Sequence, residues 1–348
     1  MKKWKIGVVG TGWWSDKHLG AWTADPRAEL AALCNRSRPK MEARAEEFGL
    51  SPSCLYNSLD DMLDQADIDV VDIVTGPETH LDFVRKAAAA GKHILCQKPF
   101  ARSLAEAEAI AEAAESAGVR LMVTENWRWL MPFRLLREQL EAGQIGRITG
   151  ARYAHSDWYT PRMTPDAKLP QPFFRDMPQL LFYEMGTHWF DTWRALFGMP
   201  KRLYAETTRT SPYIAGEDGG IVTLGYDDWF GTMDMSWATR RHLDTVPNDP
   251  IWPLNHETFV IEGTEGTLRY FADGRIELVS KDGTTRTTLA EQTMLDHPTS
   301  HVLLSRHFLD CMETGASFAT SARDNIETLC LVFATYESAA NHDVIRFD

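Results

Sequence analysis

Between residues 4 and 125 the chain repeats one pattern, a short and mostly apolar run followed by a stretch rich in Ala and Glu. The runs WKIGVVG, ELAALCN, DVVDIVT, HILCQ and RLMVTE read as strands, and PKMEARAEEFG and SLAEAEAIAEAAESAG read as helices between them. Strands that are apolar throughout, rather than at alternate positions, are covered on both faces. Helices between them supply the crossovers that parallel pairing needs. The pattern predicts an α/β unit, a doubly wound parallel sheet, over residues 1–126.

A chain of 348 residues exceeds what one core comfortably fills, so a second domain is expected over residues 127–348. There the texture changes to alternating runs such as RLYAETTRT, GGIVTLGYDD, WFGTMDMSWAT, HETFVIEGTEGTLRYF and GRIELVSKDGTTRTTL. The turns DDW, TEG, ADG and KDG between them are hairpin signals. This predicts an α+β domain built on a large, mainly antiparallel open sheet with a few helices. The proline- and aromatic-rich segment 156–182 reads as a long loop lining something.

Charge narrows the partners. Lys plus Arg number 36 against 49 Asp plus Glu, a net of −13, which repels nucleic acid and anionic membrane. No apolar run approaches the roughly 20 residues of a membrane helix, and the MKKWKIGVVG start lacks a cleavage site. Five scattered cysteines without a C-x-x-C pair suit a reducing cytoplasm.

The first strand runs into GVVGTGWWS, where Gly10, Gly12 and Ser15 occupy a G-x-G-x-x-G frame with serine in third place. The first glycine permits the tight strand-to-helix turn and the second lets backbone approach a pyrophosphate. The third position needs only a small residue. Thr11, Trp13 and Trp14 lie in the same turn. At the end of the second strand, where an acid usually holds the adenosine ribose, stand Asn35 and Arg36, with Ser37 and Arg38 behind. A neutral amide and guanidinium groups tolerate a 2′-phosphate, so NAD or NADP is expected, with a lean to NADP. Thr75, Pro77 and His80 follow the next strand, and HILCQKPFA delivers Gln97 and Lys98 at the same carboxyl edge, where ligands of open α/β sheets gather.

In this order, G-x-G-x-x-[GS], T-x-P-x-x-H, x-K-P and then G-x-H-x-x-D (Gly186 to Asp191), the motifs resemble the Gfo/Idh/MocA oxidoreductases over nearly the whole chain. The resemblance implies an N-terminal Rossmann domain and a C-terminal domain for substrate binding and oligomerisation, as a homodimer or homotetramer through the C-terminal sheet. It implies an NAD(P)-dependent dehydrogenase acting on a hydroxyl-bearing carbon of a small sugar or polyol, and ENWRW is similar to the family's sugar-dehydrogenase branch. Glu-Lys is the family's common pair before the proline; here Gln97 replaces the glutamate.

The resemblance also assigns site residues. Cofactor contacts fall to Gly10, Thr11, Gly12, Trp13, Trp14, Asn35, Arg36, Thr75, Pro77, His80, Gln97 and Lys98. Catalysis falls to Lys98, His188 and Glu184, the last an aspartate in most of the family. A base near ambient pKa suits His188, with Lys98 stabilising the developing oxyanion; Lys98 remains the rival base. Asn126, Arg128, His155, Asp157 and Trp158 join Glu184 and His188 as substrate contacts. Glu184 and His188, four apart, are expected on one helix face. That pair, and His297 with His301, would each offer two metal ligands, but no H-E-x-x-H or cysteine cluster accompanies them, so no metal is expected. Two other functions stay open: an NAD-dependent glycosidase, and a non-catalytic cofactor-binding regulator.

Overall fold

The computed structural model describes residues 3–239 and 257–347 and divides into two compact units. The first comprises residues 1–129 and 297–330; the second comprises 130–296 and 331–348. His256, which opens the expected HETFV run, and the first two residues of the chain lie outside the described residues.

The first unit begins β1 (Trp4–Val9), α1 (Ser15–Thr23), β2 (Ala28–Cys34), α2 (Arg38–Phe48), β3 (Leu55–Tyr56) and α3 (Leu59–Gln65). It continues β4 (Val70–Ile73), α4 (His80–Ala89), β5 (His93–Cys96), α5 (Leu104–Ser116) and β6 (Leu121–Val123). All six strands pair in parallel, in the order β3-β2-β1-β4-β5-β6. The order reverses between β1 and β4, and the crevice above that reversal is where such sheets bind ligands. Local chemistry sets the helix ends. Ser103 caps α5 by accepting from Glu106 N at 3.1 Å, and Glu106 accepts in turn from Arg102 N at 2.8 Å. Gly49, at φ +72°, closes α2 in the left-handed region.

The second unit carries α6 (Met131–Glu141), β7 (Ile148–Ser156), α7 (Leu181–Glu184), α8 (Gly186–Phe197), β8 (Arg202–Thr208), β9 (Gly219–Gly225) and β10 (Phe230–Ser236). Then come β11 (Glu257–Gly263), β12 (Gly266–Tyr270), β13 (Ile276–Ser280) and β14 (Arg286–Ala290). With the terminal β15 (Ile345–Arg346) they make one nine-stranded sheet, β14-β13-β12-β11-β7-β10-β9-β8-β15. Every pairing is antiparallel except β7 with β10. Alternate residues of β7, β10 and β11 point to a core with Trp189 and Trp193 of α8, both fully buried. The Trp193 ring stacks on Phe259 with centroids 5.7 Å apart.

Helix α9 (His297–Thr314) belongs to the first unit. It packs on α1, with Trp22 edge-on to Phe308 at 6.1 Å, and Leu304, Phe308 and Leu309 join Ile6, Val8, Leu19 and Trp22 in one core. The division therefore falls at three points of the chain rather than at a single boundary near residue 126. The apolar face of α1 has to be buried by something, and the covering helix comes from 280 residues later. Helix α10 (Ala322–Asn341) begins in the first unit and ends in the second.

Tight packing under α8 gives a direct test. A Cβ on Gly231 of β10 would collide with the Trp193 ring and lie 3.0 Å from the Ala151 carbonyl. Gly231→Ala is expected to destabilise the protein by about 1–3 kcal/mol, seen as a lower urea midpoint at unchanged m-value.

Candidate active site

The glycine turn is built as its frame requires. Gly10 adopts φ +100°, and an added Cβ would strike the Val74 carbonyl oxygen beyond β4, so only glycine lets β1 and β4 approach this closely. Gly12 is the opposite case, since a Cβ there would meet nothing within 4 Å. That open space lies at the start of α1 and lets an anion approach the glycine backbone; of the helix's own first N–H groups, Ser15 N donates to Gly12 O at 3.2 Å and Lys17 N to Trp14 O at 3.1 Å. Ser15 is buried and its hydroxyl donates to Gly12 O at 2.7 Å, an internal brace in the third glycine's place. The turn therefore fits a dinucleotide pyrophosphate.

Around it, the Asn35 amide donates to the Thr11 hydroxyl, and Asn35 Oδ1 accepts from Ser37 N at 3.2 Å. Arg36 is exposed, while Arg38 pairs with Glu42 at 2.8 Å. Trp13 is 46% exposed, and Trp14 donates its indole N–H to His301 Nε2 at 3.2 Å. Thr75 and Thr79 share a hydroxyl hydrogen bond of 2.6 Å, and Pro77 opens the single turn before α4.

His80 departs from its expected cofactor contact. It is fully buried, with Nδ1 2.9 Å from Phe100 O and Nε2 3.1 Å from Thr75 O. The ring ties two loops of the crevice edge together and has no surface for a ligand.

Lys98 follows β5 through a cis peptide to Pro99 and is half-buried. Its backbone N–H donates to Gln97 Oε1 at 2.7 Å. Gln97 is buried and its amide nitrogen lies 3.0 Å from His18 Nε2, while His18 Nδ1 lies 3.0 Å from the Asp72 carboxylate. Gln97 thus supports Lys98 from the protein side. His18 and Asp72 carry no motif of their own and are visible only in the structure.

Two expected substrate contacts have other work. The Asn126 amide donates to His297 Nδ1 at 3.2 Å and Ser300 Oγ at 2.7 Å, fastening the end of β6 to α9. Arg128 donates to Ala319 O at 2.7 Å and lies 3.4 Å from Asp324. Both anchor the returning segment 297–330, and no local sequence signal announces that. His297 and His301, buried at the start of α9, are the side chains that the sequence reading considered only as metal ligands. Among the described residues no group of three or more His, Cys, Asp or Glu is arranged to hold a metal ion.

In the second unit, Glu184 and His188 do not lie on one continuous helix. The single turn α7 ends at Glu184, Met185 intervenes, and α8 opens at Gly186, with His188 N bonded to Met185 O at 2.9 Å. Both side chains are buried. His155 is buried too, its Nδ1 2.5 Å from Glu257 Oε1 and its ring 5.0 Å from that of Trp189. Asp157 Oδ1 accepts from Trp158 N at 2.6 Å, and the Trp158 side chain is 46% exposed. Among these, Glu257 was missed by sequence reasoning; it stands directly opposite His155 across the β7–β11 pair. Phe174 and Arg175 of the long loop hold that loop together, Arg175 donating to the carbonyls of Met163, Thr164 and Ala167.

These features define an oxidoreductase with an NAD-binding Rossmann domain, and comparison with known proteins agrees. The oxidoreductase family with the NAD-binding Rossmann fold, Gfo/Idh/MocA, matches residues 4–125, and the Gfo/Idh/MocA C-terminal domain matches residues 133–269. The chain belongs to the Gfo/Idh/MocA family. It is 35% identical to the D-apiose dehydrogenase of Paraburkholderia graminis over 97% of this chain and 88% of that one. It is 30% identical to the D-apiose dehydrogenase of Rhizobium rhizogenes over 98% and 96%. An oxidoreductase from Agrobacterium radiobacter, solved with NAD+, L-tartaric acid and magnesium, superposes with a TM-score of 0.87 at 29% identity, over 99% of this chain and 98% of that one.

His80 makes stability depend on pH. Its two carbonyl partners favour the charged ring and burial favours the neutral one; burial is the larger effect and holds the group below its ordinary 6.5. A histidine depressed in the folded state contributes stability that is complete above 6.5 and is lost as pH falls below it. Urea midpoints should therefore drop as pH is lowered through this range, and His80→Gln should flatten that dependence.

Proposed function

We propose that the protein is an NAD-dependent dehydrogenase of a small aldose or related polyol, with a branched pentose such as D-apiose as the first candidate. The observation that carries this is Lys98, set at the carboxyl edge of β5 on a buried, hydrogen-bonded Gln97, in a chain whose full-length relatives include two D-apiose dehydrogenases. NAD, when bound, accepts the hydride on its nicotinamide ring. The turn at Gly10, Thr11 and Gly12 would hold the pyrophosphate, and Asn35 would hold the adenosine ribose. Only exposed Arg36 supports acceptance of NADP, because Arg38 is paired with Glu42.

In this reading His188 takes the proton of the substrate hydroxyl as general base. Lys98 donates a hydrogen bond to the same oxygen and stabilises the charge that develops on it. Glu184 orients the histidine or holds a neighbouring hydroxyl. Trp158, with its ring exposed, offers a face to the sugar, and Asp157 beside it offers a carboxylate. His155 acts with Glu257, whose carboxylate fixes which ring nitrogen carries the proton.

The outward face of the nine-stranded sheet supports assembly. Phe230, 58% exposed, and Ile221 share that face with the Arg152–Glu262 ion pair. A homodimer or homotetramer through this sheet is the expected state, and Phe230→Asp should lower the mass seen by light scattering. No disulfide joins the five cysteines, which supports a reducing, cytoplasmic setting.

The test is nicotinamide reduction, read by fluorescence, across aldoses, polyols and sugar acids with NAD and with NADP. One sugar should turn over. Lys98→Ala should lower kcat/KM by about 10²–10³-fold and His188→Asn by about 10²–10⁴-fold, with NADH binding retained in both. Release of an aglycone without accumulation of NADH would instead indicate the glycosidase. Silence across the panel with NADH bound would indicate a regulator.

A further inference from the structure

The crevice edge holds a buried polar chain that runs from β4 through α1 to the end of β5. Asp72 is fully buried, and its carboxylate accepts from Trp22 Nε1 at 2.7 Å and from His18 Nδ1 at 3.0 Å. With the ring proton of His18 on Nδ1, Nε2 is an acceptor, and the Gln97 amide nitrogen donates to it across 3.0 Å. Gln97 Oε1 then accepts from Lys98 N–H at 2.7 Å and faces the Thr124 hydroxyl at 3.2 Å.

The alternatives fail on hydrogen-bond polarity. Turning the Gln97 amide over would set its NH2 against the Lys98 N–H, donor to donor. A second proton on His18 would set its Nε2–H against the same NH2. Only the neutral ring with its proton on Nδ1, together with this one amide orientation, satisfies every group. Each member is more than nine-tenths buried apart from Lys98.

We propose that Asp72, His18 and Gln97 form a positioning relay for Lys98, in which the amide at position 97 is matched to a neutral His18. The proposal deepens the dehydrogenase reading and rests on it for the role of Lys98. The relay fixes the backbone from which the lysine projects, and an amide does this without placing a second carboxylate beside Asp72. A carboxylate at 97 would still accept from Lys98 N–H. Its other oxygen would meet the Nε2 lone pair, and the chain would close only when His18 gains a second proton. The titratable groups facing His18 are Asp72 from β4 and His301 from α9, whose ring lies 5.0 Å away, with the buried Cys96 thiol of β5 close to Asp72.

The experiment pairs Gln97→Glu with wild type, reading kcat from pH 6 to pH 9 ~unit by unit and the histidine ring nitrogens by 15N NMR, with His18→Gln to assign the signal. Wild type should show His18 neutral with its proton on Nδ1. The Gln97→Glu variant should show a doubly protonated His18 at low pH. Its kcat should fall by about 10- to 100-fold at high pH and recover on acidification. Gln97→Leu, which removes both bonds, should lose activity by a similar factor at every pH. A doubly protonated His18 in wild type, or a Gln97→Glu profile that superposes on wild type, would overturn the relay. Wild-type silence on every sugar would sink the dehydrogenase reading instead, and the NMR signature would still decide whether the relay exists.

Discussion

The first unit is organised around a buried carboxylate. Asp72 sits in the middle of β4, between β1 and β5, at a position where the sheet is covered on both faces. Burying an ion costs several kcal/mol unless its lone pairs are filled. Here the indole of Trp22 and the imidazole of His18, one turn apart on α1, fill them. The donors come from the helix that begins at the glycine turn, so satisfying Asp72 fixes the rotation of α1 about its axis. That rotation sets where the first N–H groups of α1 point. It also presents the outer face of Trp22 to Phe308, so α9 packs against a surface that Asp72 has already oriented. Asp72 thus ties α1 to the middle of the sheet and, through His18 and Gln97, to the end of β5.

Much of this architecture is legible in the sequence because its causes are local. Apolar strands spaced by Ala/Glu helices fix the parallel sheet. The glycine at position 10 is forced by the nearness of the Val74 carbonyl, and a strand that ends on Lys98 before a proline announces the crevice edge. The parts that were not legible depend on partners far along the chain. Asn126 reads as a ligand contact until His297 and Ser300 arrive from 170 residues later. Arg128 reads the same way until the carbonyl of Ala319 takes its guanidinium. His80 carries a family motif, yet its ring is closed off by two backbone carbonyls, one of them 20 residues away. In each case a polar side chain at the crevice edge ties loops together through partners that its local sequence does not reveal.

The break at Met185 has a different origin. Spacing alone puts Glu184 and His188 one turn apart on a helix. The bonds from Leu180 N and Phe182 N to the buried Glu217 carboxylate, at 3.1 and 3.0 Å, pin the start of α7 instead. Tyr336 of α10 donates to the same carboxylate at 2.5 Å and accepts from Tyr183 N at 2.9 Å. This anchor holds the start of α7, and the chain passes into α8 through Met185, whose φ of −98° and ψ of −31° stay in the helical region. An acid 33 residues downstream therefore decides where a candidate catalytic carboxylate sits.

The second unit meets the same electrostatic problem as the first and solves it with different groups. Glu257 is fully buried on the core face of the sheet, opposite His155 and beside the Tyr153 phenol. Burial first, and the neighbouring carboxylate second, hold that phenol well above its ordinary range, so it remains a hydrogen-bond donor at any pH the protein meets. His155 sits between the carboxylate and the Trp189 ring, which restricts it to one plane. A histidine fixed in this way has a defined tautomer and little freedom to turn. Turning the ring would take it away from the Glu257 carboxylate, which holds the imidazole in place.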